Sequence, residues 1–135
     1  MIPSPAAAFP AGTVLWVALG GAIGSALRYA ISDGVRRLPA FTALPWATLT
    51  VNIVGSMVLG FVLRWSVSTD ASPQLRAFLM IGVCGGFTTF SAFALEGAGM
   101  VHANQIGRAA TYALVSVVLS VGAVFVGYAL AFTKG

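Results

Sequence analysis

Residues 82–93 read Gly-Val-Cys-Gly-Gly-Phe-Thr-Thr-Phe-Ser-Ala-Phe, a glycine pair followed by hydroxyls and phenylalanines inside an otherwise apolar stretch. In a membrane this pattern predicts a broken helix. Hydrocarbon offers no hydrogen bonds, so a break survives only where protein or a water-filled path covers it, and such breaks mark ion or substrate sites. Carbonyls freed by a break somewhere over residues 85–88 would turn partial negative charge towards a small cation. Phe90 and Phe93 lie three residues apart on one helix face. Their ring edges carry partial positive charge and could meet an anion without trapping it, with Thr88, Thr89 and Ser91 adding hydroxyls nearby.

Two further stripes carry polar groups at helical spacing. Thr48, Asn52, Ser56 and Gly60 recur every four residues, as do Tyr112, Ser116 and Ser120. Asn52 carries both donors and an acceptor, so it serves either a bond to another helix or a ligand. The hydroxyls of the second stripe either line a pathway or mediate packing. Arg28 is an anion-attracting group at a vestibule, or a structural arginine that snorkels or caps a helix end. Glu96 is expected at the water-facing end of the third span, while Asp70 and His102 are expected in solvated loops. Gly20 and Gly24 form a GxxxG pair that signals close helix packing. Cys84, the single cysteine, reads as a small buried hydrophobe and excludes a disulfide framework.

The elements that position these groups follow from composition. The chain has 135 residues, 59% hydrophobic and 7% charged, with a mean hydropathy of +0.95. Charge-free stretches cover residues 1–27, 38–63, 77–95 and 109–133. Each approaches or exceeds the roughly 20 residues that cross a bilayer. The expected fold is an all-α membrane protein, one four-span domain over residues 1–135 with spans at 12–32, 45–65, 73–98 and 107–132 and a broken third helix. Asp33-Gly34 with Pro39 marks the first turn, Leu44-Pro45 opens the second span, and Ser72-Pro73 caps the third. Arg64 and Trp65 suit the water interface. Residues 1–10 lack the basic start of a signal peptide and read as a short tail.

The net charge of +4 is scattered, without the basic run of a nucleic-acid binder. Its distribution bears on orientation. One side would hold Arg64, Arg76 and Lys134, the other Arg36, Arg37 and Arg108 with Arg28 deeper, so the positive-inside rule gives no preference. A chain that inserts both ways could pair with its inverted copy, which predicts an antiparallel, dual-topology homodimer. No metal cluster, nucleophile with a base, or phosphate loop points to an enzyme.

Three ordered motifs resemble the Fluc (CrcB) fluoride channels, small four-span proteins of bacteria and archaea. They are Gly20-Gly21-x-x-Gly24-x-x-x-Arg28-Tyr29, Thr48-Leu49-x-Val51-Asn52-x-x-Gly55-Ser56, and Gly85-Gly86-Phe87-Thr88-Thr89-Phe90-Ser91-x-Phe93. The resemblance covers nearly the whole chain. It implies an antiparallel homodimer in the cell (inner) membrane that exports cytosolic fluoride passively. It also implies a structural sodium ion between the subunits, held by backbone carbonyls of Gly85 and Thr88. Phe90 and Phe93 would flank the fluoride path, Asn52 would donate to the ion, and Ser91, Tyr112, Ser116 and Ser120 would extend a polar track. Arg28 and Glu96 match family positions at a vestibule or in the scaffold. Ala92 departs from the pattern, which commonly has a hydroxyl there.

Two other classes remain open on the residues alone. A proton-coupled multidrug exporter needs an intramembrane carboxylate, a role only Glu96 could fill. In a non-transporting scaffold the polar stripes would serve packing only.

Overall fold

A computed structural model describes residues 10–38 and 44–131. The tail over residues 1–9, the turn at Pro39, the fourth span's end at Phe132 and the charge of Lys134 lie outside the described residues. Among the described residues the chain is helical with no strand, and four helical stretches are long and apolar enough to cross a membrane. Helix α1 spans Thr13–Arg36 and α2 spans Trp46–Ser68. The third stretch, Pro73–His102, is composite: α3 (Pro73–Arg76), a π-helical segment (Ala77–Cys84), α4 (Gly85–Phe87) and α5 (Phe90–His102). Helix α6 covers Ile106–Leu130. At 1.5 Å per residue, α1 and α6 are about 36 Å long, enough for a hydrocarbon core of about 30 Å.

Local chemistry explains where the helices stop. Ser72 caps α3 as its sequence suggests, with its Oγ accepting from the Leu75 N–H at 3.3 Å. Helices α2 and α5 both end in Schellman turns. Asp70 and Asn104 take positive φ (49° and 57°), and the next N–H in each case reaches back, Ala71 to the Ser66 carbonyl and Gln105 to that of Met100. The third span therefore continues past residue 98, and His102 lies in the last turn of α5, not in a loop. Likewise α1 continues through Asp33-Gly34 to Arg36, and Asp33 pairs with Arg37 one turn on at 2.7 Å.

Lipid tails are as apolar as leucine, so helices in a bilayer associate through close packing at small residues. Two glycine seams do this. Gly20 and Gly24 of α1 face the π-helical segment, where a Cβ would strike the carbonyls of Phe78 and Val83. Gly82 and Gly86 answer from the other side, against Gly20 and Gly21. On α2 and α6, Gly60 touches the Val124 carbonyl and Gly127 that of Met57. The GxxxG expectation for Gly20 and Gly24 is borne out.

Polar pins fix one end of the bundle. Arg64 Nη1 donates to the Tyr128 hydroxyl at 3.1 Å and its guanidinium lies 5.0 Å from the ring centre. Arg76 Nη2 donates to the Ser66 carbonyl at 3.0 Å, tying the third span to α2.

The seams predict a position-dependent cost within one helix. Gly127→Val should destabilise the purified protein by at least about 1–3 kcal/mol, since its side chain meets backbone that cannot yield. Gly122→Val, where a Cβ meets nothing within 4 Å, should leave the thermal midpoint unchanged. Equal midpoint shifts for the two variants would refute the seam.

Candidate functional site

The interruption of the third span falls at Thr88-Thr89, not at the glycine pair. Gly85 and Gly86 stay helical, whereas Thr88 (φ −79°, ψ 159°) and Thr89 (φ −148°, ψ 114°) are extended. Gly86 is consumed by packing on Gly21. The threonines instead bond to the backbone around them. Thr88 Oγ1 donates to the Cys84 carbonyl at 3.0 Å, and Thr89 Oγ1 accepts the Ala92 N–H at 3.2 Å as the cap of α5.

Asn52 closes the break from α2. Its Oδ1 accepts the Thr89 N–H at 2.8 Å and its Nδ2 donates to the Thr89 carbonyl at 3.1 Å. A neighbouring strand would satisfy the same two groups in a sheet. A continuous helix would bring the Thr89 N–H to the Gly85 carbonyl and the Ala92 N–H to that of Thr88. Asn52 and Thr89 Oγ1 take those donors, so both carbonyls leave the helical ladder.

Around this point lies a groove of about 390 Å³. Its wall includes Asn52 and Ser56 from α2, Gly85, Thr88, Phe90 and Phe93 from the third span, and Ser116 and Ser120 from α6. The Ser116 and Ser120 hydroxyls are buried and have no hydrogen-bond partner among the described residues. The described wall contains no Lys, Arg, Asp or Glu. Phe90 is 78% exposed, at the first turn of α5. Phe93 stands between two rings, 5.5 Å from Phe90 and 5.1 Å from Tyr112 by centroids.

Four expected residues lie outside the groove wall. Ser91 lies with its Oγ 3.2 Å from that of Thr89. Tyr112 is fully buried, one turn before Ser116, and its hydroxyl donates to Glu96 Oε2 at 2.7 Å. Glu96 also accepts from Thr48 Oγ1 at 2.8 Å. It is thus a half-buried link among α2, α5 and α6, six residues short of the helix end, and not a water-facing terminus. Its far side, with Arg36 and Trp46, lines a smaller cavity of about 160 Å³. Arg28 is half-buried on α1, one turn beyond Gly24, and has no hydrogen bond or ion pair among the described residues.

A family model described as CrcB-like protein, Camphor Resistance (CrcB), matches residues 15–128. The chain belongs to the CrcB family. It is similar to proteins named fluoride-specific ion channel FluC in several organisms. The Rhodospirillum centenum protein is 47% identical over 118 residues, 87% of this chain and 93% of that relative. The Hyphomonas neptunium protein is 48% identical over 116 residues, covering 84% and 90% of the two chains. A Thermus thermophilus protein is 42% identical over 116 residues, covering 86% and 91%. With its span-capable helices, this CrcB-family chain is a multi-pass membrane protein.

The capping role of Thr89 and the Thr48–Glu96–Tyr112 link were not foreseen from the sequence. Thr89 offered a signal, a hydroxyl three residues ahead of Ala92 at a helix start. The glutamate link offered none, because its three residues come from three helices.

The Asn52 clamp makes a graded prediction. Asn52→Leu strips a donor and an acceptor from buried backbone and should cost about 2–6 kcal/mol, at 1–3 per orphaned group. The Thr89 amide should then exchange with deuterium far faster. Asn52→Asp keeps the acceptor for the Thr89 N–H and should fall between the two. An unchanged Thr89 exchange rate in Asn52→Leu would refute the clamp.

Proposed function

We propose that the chain is a fluoride-selective ion channel, not an enzyme, that lets cytosolic fluoride leave passively down its electrochemical gradient and so lowers fluoride toxicity. The observation that carries this reading is the convergence of Asn52, Phe90, Phe93, Ser116 and Ser120 on one uncharged groove within a span-capable bundle. The names of its relatives support the choice of ion.

A small anion with a tight hydration shell passes only if each water is replaced by a contact that is favourable but shallow. The uncharged wall suits that need. Asn52 spends one Nδ2–H on Thr89 and retains a second for the ion. The free hydroxyls of Ser116 and Ser120 continue the track one helical turn at a time, and the edges of Phe90 and Phe93 flank it. Tyr112 and Ser91 act at its margins, Tyr112 by holding Phe93 and Glu96. Glu96 would brace the bundle beside the track by tying α2, α5 and α6, and Arg28 would add positive potential on the α1 side. The proton-coupled exporter is disfavoured, because Glu96 is committed to Thr48 and Tyr112 and lies outside the groove wall.

The groove is open along one side, where Phe90 and Gly85 are exposed. A second copy inserted the other way would cover it, forming an antiparallel homodimer in the inner membrane, consistent with the evenly split Arg and Lys. The carbonyls of Gly85 and Thr88, displaced from the helical ladder, fit a sodium ion held at the centre of that dimer. Bound there, the ion would supply positive charge that fastens the two copies and is not itself transported.

Fluoride efflux from liposomes loaded with potassium fluoride tests the reading. Addition of valinomycin should start efflux without a proton gradient, and chloride should not follow. Phe90→Ile and Phe93→Ile should each slow it by about tenfold, matching the ~1.4 kcal/mol of one lost ring-edge contact. No efflux from folded protein, or full efflux in both variants, would overturn the channel or the ring-edge role respectively. Orientation has its own check: with Cys84 replaced and one cysteine placed at Gly34, an impermeant label should reach about half of the chains from either side. Labelling confined to one side would exclude dual insertion.

A further inference from the structure

We propose that the groove also holds a site for a soft monovalent metal ion, Cu(I) or Ag(I), with Cys84 Sγ and Met80 Sδ as its ligands. Both residues line the cavity wall. They belong to the π-helical segment Ala77–Cys84, where hydrogen bonds run i to i+5, so residues four or five apart stack on one face. A thiol and a thioether thus share one side of a single cavity. Across the same cavity, Ser116 is 7% exposed and its hydroxyl has no partner among the described residues, as does that of Ser120. Buried hydroxyls of this kind mark a place built to receive something polar.

Charge and ligand type select the metal. Thiolate and thioether sulfur are soft donors that favour Cu(I) over magnesium, calcium or manganese. The described wall offers no carboxylate or imidazole that would recruit a divalent ion. Binding proceeds as Cys84–SH plus M⁺ giving Cys84–S–M plus H⁺, with the proton released to water and no change of oxidation state. The product is neutral. A divalent ion on the same thiolate would leave a net charge in a low-dielectric setting, which is costly. The thioether then completes a two-sulfur arrangement without adding charge. Metal uptake at this site does not depend on the chain conducting fluoride.

Silver nitrate in chloride-free buffer is the probe. The purified full chain should retain one silver per chain through gel filtration and release one proton per silver bound. X-ray absorption at the silver edge should read two sulfur neighbours. Cys84→Ala should retain none, and Met80→Leu should weaken retention by roughly tenfold. Absence of retained silver in the wild-type chain would overturn the proposal, as would one sulfur neighbour or undiminished retention in either variant. The absorption measurement uses the unaltered chain, so it decides the matter even if a variant fails to fold.

Discussion

The pairing of one side-chain amide with one residue's backbone governs this structure. A helix broken in a bilayer exposes an N–H and a C=O that nothing in lipid can satisfy. The Asn52 carboxamide supplies an acceptor and a donor in one plane and meets both groups on Thr89. Two other features follow. Thr89, held extended, turns its hydroxyl to the N-terminus of α5, which sets the direction in which Phe90 and Phe93 leave the break. The donors diverted to Asn52 and Thr89 are those that the carbonyls of Gly85 and Thr88 would otherwise hold.

A clamp of two hydrogen bonds works only if α2 and the third span keep their register. Gly55 on α2 lies against the Thr88 methyl and the buried Phe87 ring, one turn from Asn52. Gly60 and Gly127 bring α6 against α2, which carries Ser116 and Ser120 to the groove wall. The seam of Gly20, Gly24, Gly82 and Gly86 backs the π-helical segment with α1. Small residues thus decide how far apart the polar ones stand.

Spacing made much of this legible. Four charge-free stretches, the Ser72-Pro73 cap, the GxxxG pair and the four-residue stripes follow from periodicity and side-chain chemistry within one helix. What was illegible lies between helices. The glycine pair at Gly85-Gly86 looks like the weak point of the third span, yet glycine is equally a packing residue, and only the neighbour Gly21 decides which. The break falls at two threonines, where Asn52 takes the Thr89 N–H and the Thr89 hydroxyl takes that of Ala92. Glu96 was misplaced for the same reason. A lone carboxylate suggests water unless its partners are known, and Thr48 and Tyr112 come from other helices.

The open side of the groove limits what one chain can enclose. A polar track walled on one side by three helices and bare on the other would leave a small anion partly against lipid, where its charge is least tolerated. Burying Ser116 and Ser120 while leaving their hydroxyls unpartnered costs free energy that packing alone does not return. That cost is offset if an ion or its water regularly supplies the missing bonds. On the proposed reading Phe90, exposed at the lip, would have two surfaces to serve: one edge for the ion, and a face for whatever closes the groove. A single chain can shape such a track, but enclosing it takes a second surface.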